Sequence, residues 1–204
     1  MKKFLFTILI ICITVFISGC SVSKATLSSF VDPNISNEEL NSIAVFPIRN
    51  ARFAPNEAKQ INKKISTEIH NLNKDIQIMS SDDVINILNE YDLASSWAMF
   101  LDNYSSSGIP DKYILYEIGE VLNVDCLVQG EVVNIFQEDG EFGINNGLTT
   151  VTVMFSLIST KSGKILWEAS SDGTKKTVTS FEDAPPIMEA VNLAVDKILS
   201  NLPL

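Results

Sequence analysis

The sequence predicts an α/β fold, a three-layer α/β/α sandwich with a mixed β-sheet. Two observations lead there. Short apolar runs and segments of helical period alternate through the first half of the chain, and long strands followed by one closing helix fill the second. The expected helices outnumber those that one face of a sheet accommodates, so both faces must be covered. The expected order is β-α-β-α-α-α-β-β-β-α.

Residues 42–48 (Ser-Ile-Ala-Val-Phe-Pro-Ile) form an apolar run interrupted by Pro47, which reads as a buried first strand. Pro55 suits a first helical turn and opens a helix over residues 55–72. Ala58, Ile61, Ile65, Ile69 and Leu72 share one face, with Glu57, Lys59, Lys63 and Lys64 on the other. A second short strand fits residues 75–79. Ser80 or Ser81 caps the next helix, where Asp82 and Asp83 suit the dipole and Val84, Ile87 and Leu88 form the apolar face. Another helix covers about residues 95–104 and ends in Ser105-Ser106-Ser107-Gly108. Pro110 starts a third helix that runs to about Leu122.

Strands follow. Residues 125–136 are long and mostly apolar, as in a central strand. Asp139-Gly140 marks a turn. Over residues 149–158, Val151, Val153, Phe155 and Leu157 alternate with Thr150, Thr152 and Ser156. Lys161-Ser162-Gly163-Lys164 is a hairpin turn, and Ile165-Leu166-Trp167 begins the returning strand. After Pro185-Pro186 a last helix buries Ile187, Val191, Ala194, Val195, Ile198 and Leu202.

The N-terminus carries a different message. Lys2 and Lys3 precede an apolar run from Phe4 to Phe16, then Ile17-Ser18-Gly19-Cys20. This is the layout of a bacterial secretion signal, and its end resembles the lipobox of bacterial lipoproteins. The resemblance implies cleavage before Cys20 and acylation of that cysteine. Two acyl chains, at about 0.8 kcal/mol per buried methylene, give stable anchoring. The apolar run is short for a spanning helix, which needs ~20 residues. Residues 1–19 are therefore expected to be a lipoprotein signal peptide, and residues 20–40 a lipidated N-terminus and flexible tether. Residues 41–204 would be a single periplasmic α/β domain. Ser21 after the cysteine implies, in a Gram-negative cell, transfer to the outer membrane. The tether is rich in Ser and turn residues, and its r.m.s. reach would be ~25 Å.

Composition narrows the partners. The formal net charge is −10, and it deepens once Lys2 and Lys3 are removed. Such a domain suits neither nucleic acid nor anionic headgroups. With Cys12 in the signal and Cys20 acylated, Cys126 is left alone, which excludes an intramolecular disulfide.

Three stretches in order carry a further resemblance. They are Ser42-Ile43-Ala44-Val45-Phe46-Pro47, then residues 118–132 with Gly119, Asp125, Val128 and Gly130, then Gly163-Lys164-Ile165-Leu166-Trp167. Placed after a lipobox, they resemble the CsgG/LpoB-type periplasmic lipoproteins, which include curli-secretion lipoproteins and lipoprotein activators of peptidoglycan synthases. The resemblance spans about residues 42–202. It implies a non-enzymatic envelope protein that works through protein contacts. Curli-pore members carry transmembrane hairpins. Here residues 136–148 make a short acidic loop, and Glu138, Asp139 and Glu141 do not suit a lipid-facing barrel wall.

Catalytic chemistry is sparse. His70 is the sole histidine and falls on the polar face of the first helix, so no Ser-His-Asp or Cys-His set forms around it. Cys126, inside an apolar strand, reads as a buried inert thiol. One cysteine and one histidine make no zinc set, so no metal and no cofactor is expected. Gly163-Lys164 lacks the glycine loop of a phosphate site. Tyr104 occupies a place where a calcium loop over residues 102–111 needs an oxygen ligand. Ser21-Val22-Ser23-Lys24 has SxxK spacing but no scaffold.

Aromatics remain. Trp97, Phe100 and Tyr104, with Leu101, recur at helical spacing. They read either as core or as a platform for a protein partner, since Trp and Tyr anchor interfaces. Trp167 reads as core. The function expected is that of a lipid-anchored envelope accessory or regulator, partnered by the membrane through its anchor and by an envelope protein or a second copy of itself, and not by nucleic acid. A structural subunit of a secretion or transport channel is the alternative, and an envelope hydrolase stands behind both.

Overall fold

The computed structural model describes residues 22–38, 40–49 and 52–204. Six strands form one sheet: β1 (Ser23–Val31), β2 (Ser42–Val45), β3 (Gln77–Met79), β4 (Cys126–Glu138), β5 (Leu148–Ser159) and β6 (Ile165–Lys176). Their order across the sheet is β1-β6-β5-β4-β2-β3. β1, β6, β5 and β4 are successively antiparallel, and β2 pairs in parallel with both β4 and β3. The sheet is mixed, as expected. Five helices accompany it: α1 (Pro55–Leu72), α2 (Ser81–Glu90), α3 (Ala94–Ser107), α4 (Lys112–Leu122) and α5 (Ile187–Leu199).

Local chemistry sets the helix ends. Pro55 opens α1, and Glu57 Oε2 accepts the Ala54 N–H at 2.9 Å. Ser80 caps α2 by accepting the Asp83 N–H. Gly108, at φ 70°, stops α3 in the left-handed conformation favoured at helix ends. Pro110 does not open α4. Asp111 caps it, its Oδ1 accepting from Tyr113 and Ile114 at 3.0 and 3.3 Å.

Strand alternation divides the apolar residues between two cores. Ile43 and Val45 of β2, Cys126 and Val128 of β4, and Val151, Val153, Phe155 and Leu157 of β5 face α1 and α5, where Ile61, Ile65, Ile69, Val191, Val195 and Ile198 bury their side chains. Ala44, Phe46, Leu127 and Ile158 face α2, α3 and α4. Helices thus cover both faces, and the architecture is the predicted three-layer sandwich. Leu72 departs from the expected face: it stands 47% exposed in the last turn of α1. Leu202 is buried as expected, but beyond the end of α5.

Two glycines of the motif over residues 118–132 have steric reasons. A Cβ on Gly119 would lie 2.5 Å from the Thr160 side chain, where α4 meets the β5–β6 turn. One on Gly130 would lie 2.2 Å from the Phe155 ring, which crosses β4 at that point.

The expected flexible tether over residues 20–40 is corrected by β1. Nine residues of that segment pair with β6, from Ser23 opposite Lys175 to Val31 opposite Trp167. Ala25 and Leu27 turn inward, and Leu27 packs on the first core. The sheet therefore begins well before residue 41. Ser, Thr and Lys dominate the other positions because β1 is an edge strand with one solvated face, so its apolar signal is faint.

Candidate functional site

Of the site residues expected from the sequence, Cys20 lies outside the described residues. Trp97 and Phe100 are inside the second core, 8% and 0% exposed, which corrects their reading as partner-binding residues. The helical spacing reflects a ladder of rings, stacked within α3 and tilted where Phe46 meets Trp97. Phe46 and Trp97 centroids are 4.1 Å apart, Trp97 and Phe100 4.8 Å, and Phe100 and Tyr104 5.7 Å. Only Tyr104, half-buried at the ladder's end, reaches an accessible surface.

That surface is a groove of about 460 Å³ between α3 and the sheet. Leu101, Tyr104 and Ser105 line its helix side, and Gln129, Glu131, Val133, Met154, Ser156 and Glu168 its sheet side. The Tyr104 hydroxyl donates to Glu168 Oε2 at 3.3 Å and lies 3.4 Å from Ser156 Oγ, which itself donates to Glu168 at 3.2 Å. Burial, reinforced by the Glu168 charge, pushes the Tyr104 phenol above its ordinary pKa, so it stays a neutral donor. Gln129 Nε2 donates to the Gly130 and Pro47 carbonyls at 2.6 and 3.3 Å. Its Oε1 is buried without a hydrogen-bond partner among the described residues. Arg49 Nη1 lies 3.9 Å from Glu131 Oε1 at the groove's edge.

The groove opens onto bare sheet. Helices α2 to α4 pack over β2, β4 and the end of β5 on this face, and α3 reaches β6 through Tyr104. Asp172 ties three strands together there, accepting from Thr26 of β1 at 3.3 Å and Thr152 of β5 at 2.7 Å. Phe30, Val133 and Phe136 stand 53%, 56% and 48% exposed. Val133 is pushed out by a bulge in β4, between Val132 and Asn134.

The groove offers donors and acceptors but no activated nucleophile. His70 is exposed on α1, on the opposite side of the sheet. Cys126 is buried at the start of β4, and burial, with the nearby Asp125 and Glu38 charges, pushes its thiol up to about 12, an inert form. No group of three or more metal-ligating side chains occurs among the described residues. No described helix is long and apolar enough to cross a membrane.

Sequence reasoning missed Arg49, Gln129, Glu131 and Glu168. Gln129 and Glu131 interrupt an otherwise apolar run with a two-residue period, and that was the available signal. The run read as a strand buried on both faces, whereas β4 is covered on both only over its first residues.

No family model matches the chain, and no curated protein matches it. Solved structures similar to it include the PelC dodecamer from Paraburkholderia phytofirmans, with 16% identity, TM-score 0.46, and coverage of 87% of this chain and 96% of that one. Lipoprotein GNA1162 from Neisseria meningitidis has 14% identity and TM-score 0.42, covering 78% of this chain and 98% of that one. The LpoB C-terminal domain from Salmonella enterica has 12% identity and TM-score 0.39, covering 69% and 92%.

Proposed function

We propose that this chain is a lipid-anchored, non-enzymatic protein of the cell envelope that acts by binding another protein across its bare sheet face. The observation that carries the reading is the combination of that face with the groove beside it. Exposed Phe30, Val133 and Phe136 supply apolar contact area. The polar side chains of Tyr104, Glu131 and Glu168 line the groove beside them. Large apolar side chains around a few oriented polar groups are what a protein interface uses. Cys20 supplies the anchor, and Ser21 after it fits an outer-membrane address in a Gram-negative cell.

A photo-crosslinking residue at Val133 in the full chain, expressed in its own envelope, tests this. One discrete adduct with another envelope protein is expected. Phe136→Asp should abolish it without moving the thermal midpoint, because Phe136 is half exposed. The same probe at Tyr113, 88% exposed on α4, should not give that adduct. No adduct at Val133 would sink the proposal. An adduct of the chain with itself would replace it with self-assembly.

A further inference from the structure

We propose that one end of this sheet is a lipid-contacting tip, and that the domain rests on the bilayer surface through it. The inference rests on the reading of Cys20 as the acylated residue. Two loops build the tip: residues 139–147 between β4 and β5, and residues 177–186 between β6 and α5. They are locked together. The Gly140 N–H donates to the Glu182 carbonyl at 3.0 Å, the Thr177 N–H to the Gly147 carbonyl at 2.9 Å, and the Gly143 N–H to Ser180 Oγ at 3.1 Å. Asp139 Oδ1 accepts the Ala184 N–H at 2.8 Å.

On this braced platform stand four large apolar side chains. Phe142 is 83% exposed, Ile144 74%, Phe181 67% and Val178 47%. The Phe142 and Phe181 rings are 6.4 Å apart, so they form one patch. Grouped, exposed apolar residues mark a docking surface.

What covers the patch follows from where the chain enters the fold. β1 starts at this same end: Ser23 is opposite Lys175, and the Lys176 N–H donates to the Val22 carbonyl at 3.0 Å. Thr177, the next residue, is hydrogen-bonded to the tip. From Val22 back to Cys20 is two residues, at most about 7 Å of chain. An acylated Cys20 therefore brings the membrane surface to the end of the sheet where Phe142, Ile144 and Phe181 project. Side chains of this kind bury roughly 5–10 Å into the headgroup and acyl boundary.

The charges nearby set the depth and the lipid. Glu138, Asp139, Glu141, Glu182 and Asp183 flank the patch, which opposes a spanning hairpin. Their place is among the headgroups, and several are already bonded within the loops: Glu138 to Asn145 at 2.5 Å, Glu182 to Thr179 at 2.6 Å. Lys24 and Lys176 lie at the same end, within reach of phosphate groups. The contact is apolar, and zwitterionic lipid suffices for it.

The test uses the full lipidated protein in phosphatidylcholine vesicles whose acyl chains are brominated near the headgroup end. Both natural tryptophans are buried, so a third one in place of Phe142 or of Lys164 at the opposite end of the sheet reports separately. Phe142→Trp should shift its emission to the blue and lose roughly half of it to the bromine atoms, as insertion to that depth requires. Lys164→Trp should do neither. Labelled fatty acid on Cys20 is scored in the same preparations. With label present and Phe142→Trp unquenched, the tip proposal is overturned while the anchor stands. A blue shift without quenching also overturns it, because protein, not lipid, then covers the patch. Absence of label from wild type, with Cys20→Ala unchanged in membrane attachment, removes the anchor reading and the tip proposal with it.

Discussion

At Asp125 one carboxylate joins three parts of the fold. Its Oδ2 accepts from the Asn41 N–H and the Ser42 hydroxyl, both at 3.2 Å, and its Oδ1 lies 3.2 Å from Lys161 Nζ. Burial opposes the charge, yet the Lys161 ammonium, the Ser42 hydroxyl and the Asn41 amide together hold the carboxyl below the usual aspartate value. The folded pKa is thus lower than the unfolded one, about 3.9. The contribution to stability is complete above that value and is lost as pH falls through the folded pKa. Asp125→Asn should unfold at a lower denaturant concentration than wild type at pH 7, and the gap should narrow by pH 3. Parallel midpoints across that range would exclude the account. Trp97 and Phe100 teach a different lesson at this scale. Their spacing in the sequence was plain, but spacing alone does not say whether an aromatic stripe faces a core or a partner. The distinction came from Phe46, whose ring packs tilted against Trp97 from a distant part of the chain, a contact no local pattern encodes.

Among the elements, β1 changes the expected behaviour most. Read as a tether it is dispensable; paired along nine residues with β6 it is part of the sheet. A chain starting at residue 41 should lose stability and associate, because β6 would then present a bare edge. Light scattering and thermal melting of that chain beside one starting at residue 21 would decide the matter; equal midpoints would restore the tether reading. The strands and helices with a buried face were legible because burial imposes period 2 or 3.6. Ile61, Ile65 and Ile69 are 2%, 0% and 0% exposed, as their spacing requires. β1 was hidden because its inward positions alternate Ser23, Ala25, Leu27, Ser29 and Val31, with Val31 still 41% exposed and Phe30 apolar on the outer face. The stretch over residues 136–148 reads as an acidic loop from Glu138, Asp139 and Glu141, and nothing periodic in it marks the exposed Phe142 and Ile144 beside them. The groove was illegible because its walls come from α3, β4, β5 and β6, and only the fold brings these together.

The whole molecule has two cores separated by one shared sheet, with Trp167 in the first and Trp97 in the second. Because β2, β4 and β5 contribute side chains to both, the two cores are expected to unfold together. Trp97→Phe and Trp167→Phe leave one fluorescent reporter each, and their denaturant transitions should share the wild-type slope, with each single-reporter curve matching the circular dichroism of the same variant. A core that melts ahead of the backbone signal would show that the layers are separable. The position of β1 also has a mechanical meaning. A chain held at its N-terminus and pulled at the far end of the sheet is loaded along the strand axis. The β1–β6 hydrogen bonds then share the load in shear, instead of breaking singly as in an unzipping geometry. Rupture under force is governed by the unfolding barrier, so β1 serves as a clasp that resists tension along the sheet and peels open when the load comes from the side.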